Sequence, residues 1–308
     1  MRLVFAGTPE PAAVALERLI ASGHEVVAVL TRPDARKGRG RTLHPSPVKA
    51  VALEHDIEVL TPNKLDDDTA ARLREIAPDA IPVVAYGNLI PEHMLDIPVH
   101  GWVNLHFSLL PRWRGAAPVQ AAIREGDAET GATTFRIDKG LDTGDILATL
   151  TDTVRDDDTS GALLERLAYS GADLLVQTMD GLEAGSITPQ PQPEDGTYAP
   201  KIATADARID WGAEAEVIDR AVRAHTPAPG AWTMRDEDRF KVGPLTITDT
   251  SALAPGEVAF GKNEVRVGTG SADVVLEQVQ APGKKMINAA DWARGLADDV
   301  RAEGMRFQ

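Results

Sequence analysis

The chain has 308 residues, 32 of them basic and 47 acidic, for a formal net charge of −15, and no cysteine. The absence of thiols excludes disulfides, thiolate metal sites and cysteine nucleophiles, and the acid excess argues against a surface that binds nucleic acid over its whole extent. The length predicts two domains, 43% hydrophobic residues suffice for their cores, and no apolar run reaches the roughly 18 residues a membrane span needs.

The chain opens as a strand, Leu3 to Ala6, without the basic, apolar and cleavage regions of a signal peptide, so a cytoplasmic location is expected. Gly7-Thr8-Pro9 turns into a helix over Pro11 to Ser22, with Gly23 as its cap, and Glu25 to Leu30 is a second strand. Helices are predicted over Pro47–His55, Asp67–Ile76 and Ala116–Arg124, and strands over Ala80–Ala85, Val99–His106, Thr133–Ile137 and Ile146–Asp152. A long helix from Asp158 to Ala184 opens with acids, as the helix dipole favours. Alternating strands and helices predict an α/β domain with a doubly wound, mostly parallel sheet, whose ligands gather at the strands' carboxyl ends.

The pattern breaks near residues 185–205, where Pro189, Pro191, Pro193 and Pro200 stand among polar residues, and an interdomain linker is expected there. Beyond it come a helix over Ala213–His225 and five short β-like runs: Ala231–Met234, Phe240–Thr248, Glu257–Phe260, Glu264–Gly268 and Asp273–Val279. A helix over Asn288–Asp298 follows. Five short strands predict a small β-barrel.

Three polar residues carry the chemistry. On a strand ending at His106, period-two alternation puts Asn104 and His106 on one face, where they can donate to a developing oxyanion. Asp142 stands between Gly140 and Gly144 on the loop joining two strands, as a candidate base. This is acyl-transfer chemistry without a covalent nucleophile. Taken singly, Asp142 reads rather as a turn aspartate, His106 as one structural or solvated histidine among seven, and Ser108 to Pro111 as an ordinary strand exit. Gly7-Thr8-Pro9-Glu10 is not a dinucleotide fingerprint, no triphosphate loop is present, and no histidine pair has metal-ligand spacing, so no metal is expected.

Charge is uneven along the chain. Residues 32–41 hold Arg32, Arg36, Lys37, Arg39 and Arg41 against the single acid Asp34, whereas 151–200 hold ten acids against Arg155 and Arg166. The basic stretch reads either as a solvated loop or as an RNA contact. Residues 206–308 hold 13 basic and 17 acidic side chains, so any RNA surface there is a patch, with Arg239, Lys241, Lys284 and Lys285 as candidates.

Asn104-Leu105-His106, Ser108-Leu109-Leu110-Pro111 and Gly140-Leu141-Asp142-Thr143-Gly144, in this order and spacing, resemble the folate-dependent formyltransferases, in particular those acting on methionyl-tRNA. Supporting stretches include Phe5–Glu10, Thr31–Asp34, Pro45–Lys49, Ala85–Gly87, Arg112–Pro118, Ala199–Ile202, Ile209–Trp211, Pro229–Trp232 and Gly283–Lys285, so the resemblance spans essentially the full length. It implies a Rossmann-like formyltransferase domain over 1–188, a linker over 189–205 and an OB-like β-barrel domain over 206–308 that assists tRNA binding. It also implies a monomer that uses 10-formyltetrahydrofolate, without a metal, to formylate the amino group of initiator methionyl-tRNA.

By the same resemblance, Asp142 removes the amine proton while Asn104 and His106 stabilise the oxyanion. Ser108, Leu109, Leu110 and Pro111 line the folate site, with Tyr86, Gly87, Asn88, Leu89 and Ile90 as further candidates. Arg36, Lys37, Arg39, Arg41, Lys284 and Lys285 meet the tRNA. Formylation of an amino-sugar nucleotide or of glycinamide ribonucleotide, hydrolysis of the folate donor, and noncatalytic RNA binding remain the alternatives.

Overall fold

The structure of the protein, a computed structural model, describes residues 1–37 and 42–308, so Arg39 and Arg41 of the basic loop lie outside the described residues. The chain forms two compact units. One comprises residues 1–118, 129–153 and 164–199, and the other 119–128, 154–163 and 200–308.

The first unit is built on seven strands: β1 (Arg2–Gly7), β2 (Glu25–Leu30), β3 (Glu58–Leu60), β4 (Ile81–Val84), β5 (Trp102–His106), β6 (Glu129–Arg136) and β7 (Ile146–Thr153). They form one sheet in the order β7-β6-β5-β4-β1-β2-β3. Strands β1 to β5 pair in parallel, while β6 and β7 continue the sheet antiparallel. Leu3, Val4, Phe5 and Ala6 are all fully buried, as befits a parallel strand covered on both faces. The chain runs outward from β1 to β3, then returns to the other side of β1 as β4. The switch point therefore lies between the carboxyl ends of β1 and β4, where such sheets leave a crevice.

Local chemistry sets the helix starts. Helix α1 (Glu10–Ile20) has proline in its first turn and buries Ala12, Ala13, Ala15, Leu16 and Leu19. Helix α2 (Pro47–Glu54) is capped by Ser46, whose hydroxyl accepts from the Lys49 amide at 3.0 Å. Helix α3 (Asp67–Ile76) is capped by Asp66, which accepts from the Thr69 amide at 2.9 Å, and carries Asp67 and Asp68 in its first turn.

Several expectations shift in detail. Strand β5 begins at Trp102 rather than Val99, because Gly101 turns the chain with φ of 81°. The long helix runs Ser160–Glu183, and Asp158 precedes it, accepting from the Arg155 amide at 2.9 Å. No acid occupies its first turn. The three-residue β3 and the short helix Glu92–Leu95 were not predicted, being too brief to show a period. The stretch 190–199, within the region expected as linker, packs in the first unit: Gln190 bridges Ile146, and Tyr198–Ala199 pairs in parallel with Arg114–Gly115.

The second unit is a β domain with helices Ala215–Ala224, Ala289–Arg294 and Asp298–Glu303. The single helix expected over Asn288–Asp298 is thus two, interrupted at Gly295. Its strands lie in a four-stranded and a five-stranded sheet. Two predicted runs are each broken. Asp238–Val242 and Leu245–Ile247 are separated at Gly243-Pro244, where proline lacks the amide a ladder needs. Val274–Leu276 and Gln278–Gln280 are separated at Glu277. Hydrogen bonds from Gly243 N to Gln278 O (2.8 Å) and from Glu277 N to Pro244 O (3.2 Å) bind the two breaks to each other, so both runs turn one common corner. The core behind them packs Phe240 tilted against Trp292 and stacked on Phe307, with ring centroids 4.8 and 5.4 Å away.

Candidate active site

A cavity of about 690 Å³ opens at the carboxyl ends of β4 and β5. Its walls include Tyr86 to Pro91 after β4, Asn104 to Phe107 on β5, Phe135 and Ile137 on and after β6, and the loop Asp138–Asp142. The sheet register puts Asn104 opposite Phe135 and His106 opposite Thr133. Asn104 and His106 both line the cavity, as alternation requires, and the Asp142 loop closes over the same side.

His106 is buried, and its ring meets Phe135 edge-on at 6.4 Å between centroids. Its Nε2 lies 2.8 Å from the Trp113 carbonyl, which can only accept, so Nε2 carries the hydrogen. The other nitrogen, Nδ1, faces Asp142 Oδ2 at 3.7 Å. Burial holds the imidazole below its ordinary pKa, against the opposing pull of the Asp142 charge and the Trp113 hydrogen bond. At neutral pH the ring is therefore neutral, with a bare lone pair on Nδ1. Its one hydrogen is engaged by Trp113, so the ring can donate toward the cavity once Nδ1 takes up a second proton.

Asp142 has φ of 54°, a left-handed conformation that aspartate tolerates better than most side chains. Its Oδ2 accepts from the Gly115 amide at 2.7 Å. Gly115 itself has φ of 110°, and a Cβ there would stand 2.7 Å from the Ala199 carbonyl, so only glycine can present this amide. Asn104 makes no side-chain hydrogen bond among the described residues and faces the cavity with its amide unspent.

The turn after β4 forms the opposite wall. Arg32, two residues beyond β2, donates through Nη1 to Gly87 O (3.0 Å) and Asn88 Oδ1 (3.1 Å), and Thr8 Oγ1 donates to Tyr86 O (3.0 Å). Asn88 Nδ2 donates to the Tyr86 hydroxyl at 3.3 Å. Burial pushes the Tyr86 phenol up, so it stays protonated. Leu89 and Leu141, 90% and 59% exposed, stand at the rim and leave apolar surface for a flat ligand to cover.

The expected folate residues divide. Tyr86, Gly87, Asn88, Leu89 and Ile90 line the cavity, whereas Ser108, Leu109, Leu110 and Pro111 do not. Those four brace the exit of β5. Ser108 is fully buried and donates through Oγ to Arg112 O at 2.6 Å, while Thr133 Oγ1 donates to Ser108 O at 2.7 Å and accepts from Leu110 N at 3.2 Å. Their bends return the chain so that Trp113 and Gly115 reach His106 and Asp142. Sequence reasoning did not single out Arg32, Trp113, Gly115 or Gln192 as site residues. All four act through backbone groups or on backbone groups, contacts that residue type alone does not announce.

Among the expected tRNA residues, Arg36 and Lys37 fall on a short strand, Ala35–Lys37, paired with Thr42–His44. In the second unit, Lys284 lines a cavity of about 280 Å³ with Arg239, Lys241 and Trp232, while Lys285 is exposed beside it and does not line it. The Arg239 guanidinium lies over the Trp232 ring at 4.6 Å.

Comparisons with known proteins identify the family. The sequence profile for the formyl transferase family matches residues 1–179, and that for the formyl transferase C-terminal domain matches 201–297. The chain is 65% identical to methionyl-tRNA formyltransferase of Corynebacterium aurimucosum, covering 99% of this chain and 98% of that protein. It is 57% identical to the protein of that name from Rhodococcus erythropolis, covering 98% and 100%. Among solved structures, the N-formyltransferase of Helicobacter canadensis, in complex with folinic acid and dTDP-3-aminofucose, superposes with a TM-score of 0.69 at 18% identity, over 89% of this chain and 98% of that one. HypX of Aquifex aeolicus, in complex with tetrahydrofolic acid, gives 0.65 at 19% identity, over 96% and 47%. These two likenesses speak for the fold. The profile matches and the high-identity relatives show that the chain belongs to the formyl transferase family.

Proposed function

We propose that the protein transfers the formyl group of 10-formyltetrahydrofolate to the α-amino group of initiator methionyl-tRNA. The observation that carries this reading is the His106 Nδ1–Asp142 Oδ2 pair at 3.7 Å, set beside Asn104 in one cavity. The relatives, similar over nearly the full length, favour methionyl-tRNA over the other acceptors considered. The cavity fits the donor: Leu89, Ile90, Leu95, Phe135, Ile137 and Leu141 supply apolar wall for a pterin, and the turn around Tyr86 to Asn88 supplies polar groups for its edge.

The reaction forms a C–N bond to the amine, breaks the C–N bond to the folate nitrogen, and moves one proton from the first nitrogen to the second. An α-amino group has a reference pKa of about 7.7–8.0, so near neutral pH the protonated fraction first releases one proton to solvent, and the neutral amine, once its C–N bond forms, carries a further proton that has become acidic. His106 and Asp142 receive it as a pair. Neutral His106 offers the Nδ1 lone pair, and the Asp142 carboxylate balances the charge once the ring is protonated. Asn104 donates to the oxygen of the tetrahedral intermediate, and the newly protonated His106 becomes a second donor. As the folate nitrogen leaves, the pair hands the proton to it, so atoms and charge close. In this reading the enzyme works as a monomer in the cytoplasm, where its charged tRNA is used.

The arginine-rich loop around Arg36, Lys37, Arg39 and Arg41 is the proposed contact for the acceptor end of the tRNA. In the second unit, Lys284 and its neighbours Arg239 and Lys241 are a second phosphate-binding candidate, with Lys285 at its edge. The two runs that turn a common corner at Pro244 and Glu277 support reading that unit as an OB-like barrel left open. The domain division 1–188, 189–205 and 206–308 is kept as part of this reading, with the linker's first half serving to back the active site.

The direct test is a paired assay with 10-formyltetrahydrofolate and either methionyl-tRNA or the same tRNA uncharged. Product only with the charged tRNA is expected, whereas deformylation in both reactions would mean hydrolysis instead. Asp142→Ala and His106→Ala should lose about 10²–10⁴-fold in kcat and Asn104→Ala about 10²–10³-fold, each retaining tRNA binding. Undiminished turnover in any of them would remove that residue from the site. Replacing Arg39 and Arg41 with alanine should raise the KM for tRNA and flatten its salt dependence, with folate binding little changed. Unchanged tRNA kinetics would return the loop to an ordinary solvated surface.

A further inference from the structure

We propose that Arg114 and Gln192 are positioning residues that hold Asp142 in register with His106, an inference that rests on the assignment of those two groups to the reaction. Arg114 is 2% exposed, and its guanidinium has only neutral acceptors among the described residues. Nε and Nη2 donate to Gln192 Oε1 at 3.2 and 3.0 Å, Nη2 to Pro193 O at 2.8 Å, and Nη1 to Glu194 O at 3.3 Å. A buried charge is costly to desolvate, so a side chain kept there for packing alone would be better apolar.

The guanidinium fixes which way the Gln192 amide points. A guanidinium only donates, so the amide oxygen must face it and the NH₂ must face away. Those two hydrogens reach Asp142 O at 3.0 Å and Gly144 O at 2.7 Å. The positive charge on the amide oxygen also polarises the group and strengthens its donors. Arg114 thus acts on Asp142 by two routes. Its side chain grips the main chain of the loop through Gln192, and the amide of the next residue, Gly115, holds the carboxylate itself at 2.7 Å.

Asp138 ties the loop across its width, since its Oδ1 accepts from Gly140 N at 2.9 Å and from Thr143 Oγ1 at 2.8 Å, beyond Asp142. Gln192 holds the half that carries the left-handed Asp142. The segment bearing it is packed hard against Arg114: a Cβ on Gly196 would lie 2.8 Å from Nη1 and 2.7 Å from Pro111 O. Such a second tier of hydrogen bonds is what keeps a reacting carboxylate within the small tolerance that proton transfer allows.

The test uses Gln192→Met, which keeps the bulk and loses both interactions, and Gln192→Glu, which keeps the acceptor for Arg114 but loses both donors. Each full-length variant is assayed with both substrates across pH, with Asp142→Asn alongside. Both Gln192 variants should lose about 10²-fold in kcat with KM for tRNA and folate close to wild type. The acid limb of kcat should move to lower pH. The Asp142 charge raises the proton affinity of His106, so withdrawing it lets the ring stay neutral, and active, further down. Unchanged kcat in both variants, a change confined to KM, or a fixed acid limb would overturn the proposal. If Asp142→Asn loses activity while the Gln192 variants keep it, the clamp alone fails. If Asp142→Asn turns over like wild type, the underlying site assignment fails and the clamp with it.

Discussion

The 2.8 Å hydrogen bond from His106 Nε2 to the Trp113 carbonyl is the constraint on which the site depends. It decides the tautomer, and the tautomer decides the chemistry. With its hydrogen committed to a main-chain acceptor, the buried ring can present only a lone pair toward Asp142, and burial keeps that lone pair free at neutral pH. A ring with the opposite tautomer would donate to Asp142 and be of little use in taking a proton from an amine. Placing a neutral acceptor beside a carboxylate is unfavourable in isolation, which leaves the pair ready to bind one proton between them.

The fold exists around that pair in a definite sense. Strand β5 brings Asn104 and His106 to the carboxyl edge of the sheet on the same face. The bends from Ser108 to Pro111 then reverse the chain so that the Trp113 carbonyl and the Gly115 amide meet His106 and Asp142 from the far side. Trp113 and Asp142 both adopt positive φ, with values of 63° and 54°. Left-handed backbone costs of the order of 1–3 kcal/mol at a non-glycine residue, and surrounding contacts must hold it in place. Here the Gly115 amide, the Gln192 amide and the buried Arg114 supply those contacts.

Much of this was legible in the sequence, and the rest was hidden for physical reasons. The apolar runs Leu3–Ala6 and Glu25–Leu30 announced parallel strands because both faces are buried, and period two placed Asn104 and His106 together without any coordinates. Asp142 was legible as an acid on a glycine-flanked turn. The partners that give these residues their roles were not, because a main-chain carbonyl like that of Trp113, or an amide like that of Gly115, is offered by nearly every residue and only the fold selects which one meets the site. Gln192 was masked by its setting among prolines, where composition speaks of a connecting segment. Ser108 to Pro111 stand in the sequence only as a strand exit, and their bracing of the bend after β5 through Arg112 O and Thr133 Oγ1 shows only in three dimensions. In the second unit Pro244 marked one break in a strand plainly, whereas the matching break at Glu277 exists only because its partner bends there.

The measurement that bears most directly on this account is a ¹⁵N titration of the His106 ring by NMR in the full-length protein. The account predicts a neutral ring at pH 7 with its hydrogen on Nε2, taking up its second proton only below the ordinary imidazole value of about 6.5. An imidazolium at pH 7, or a neutral ring with the hydrogen on Nδ1, would contradict it.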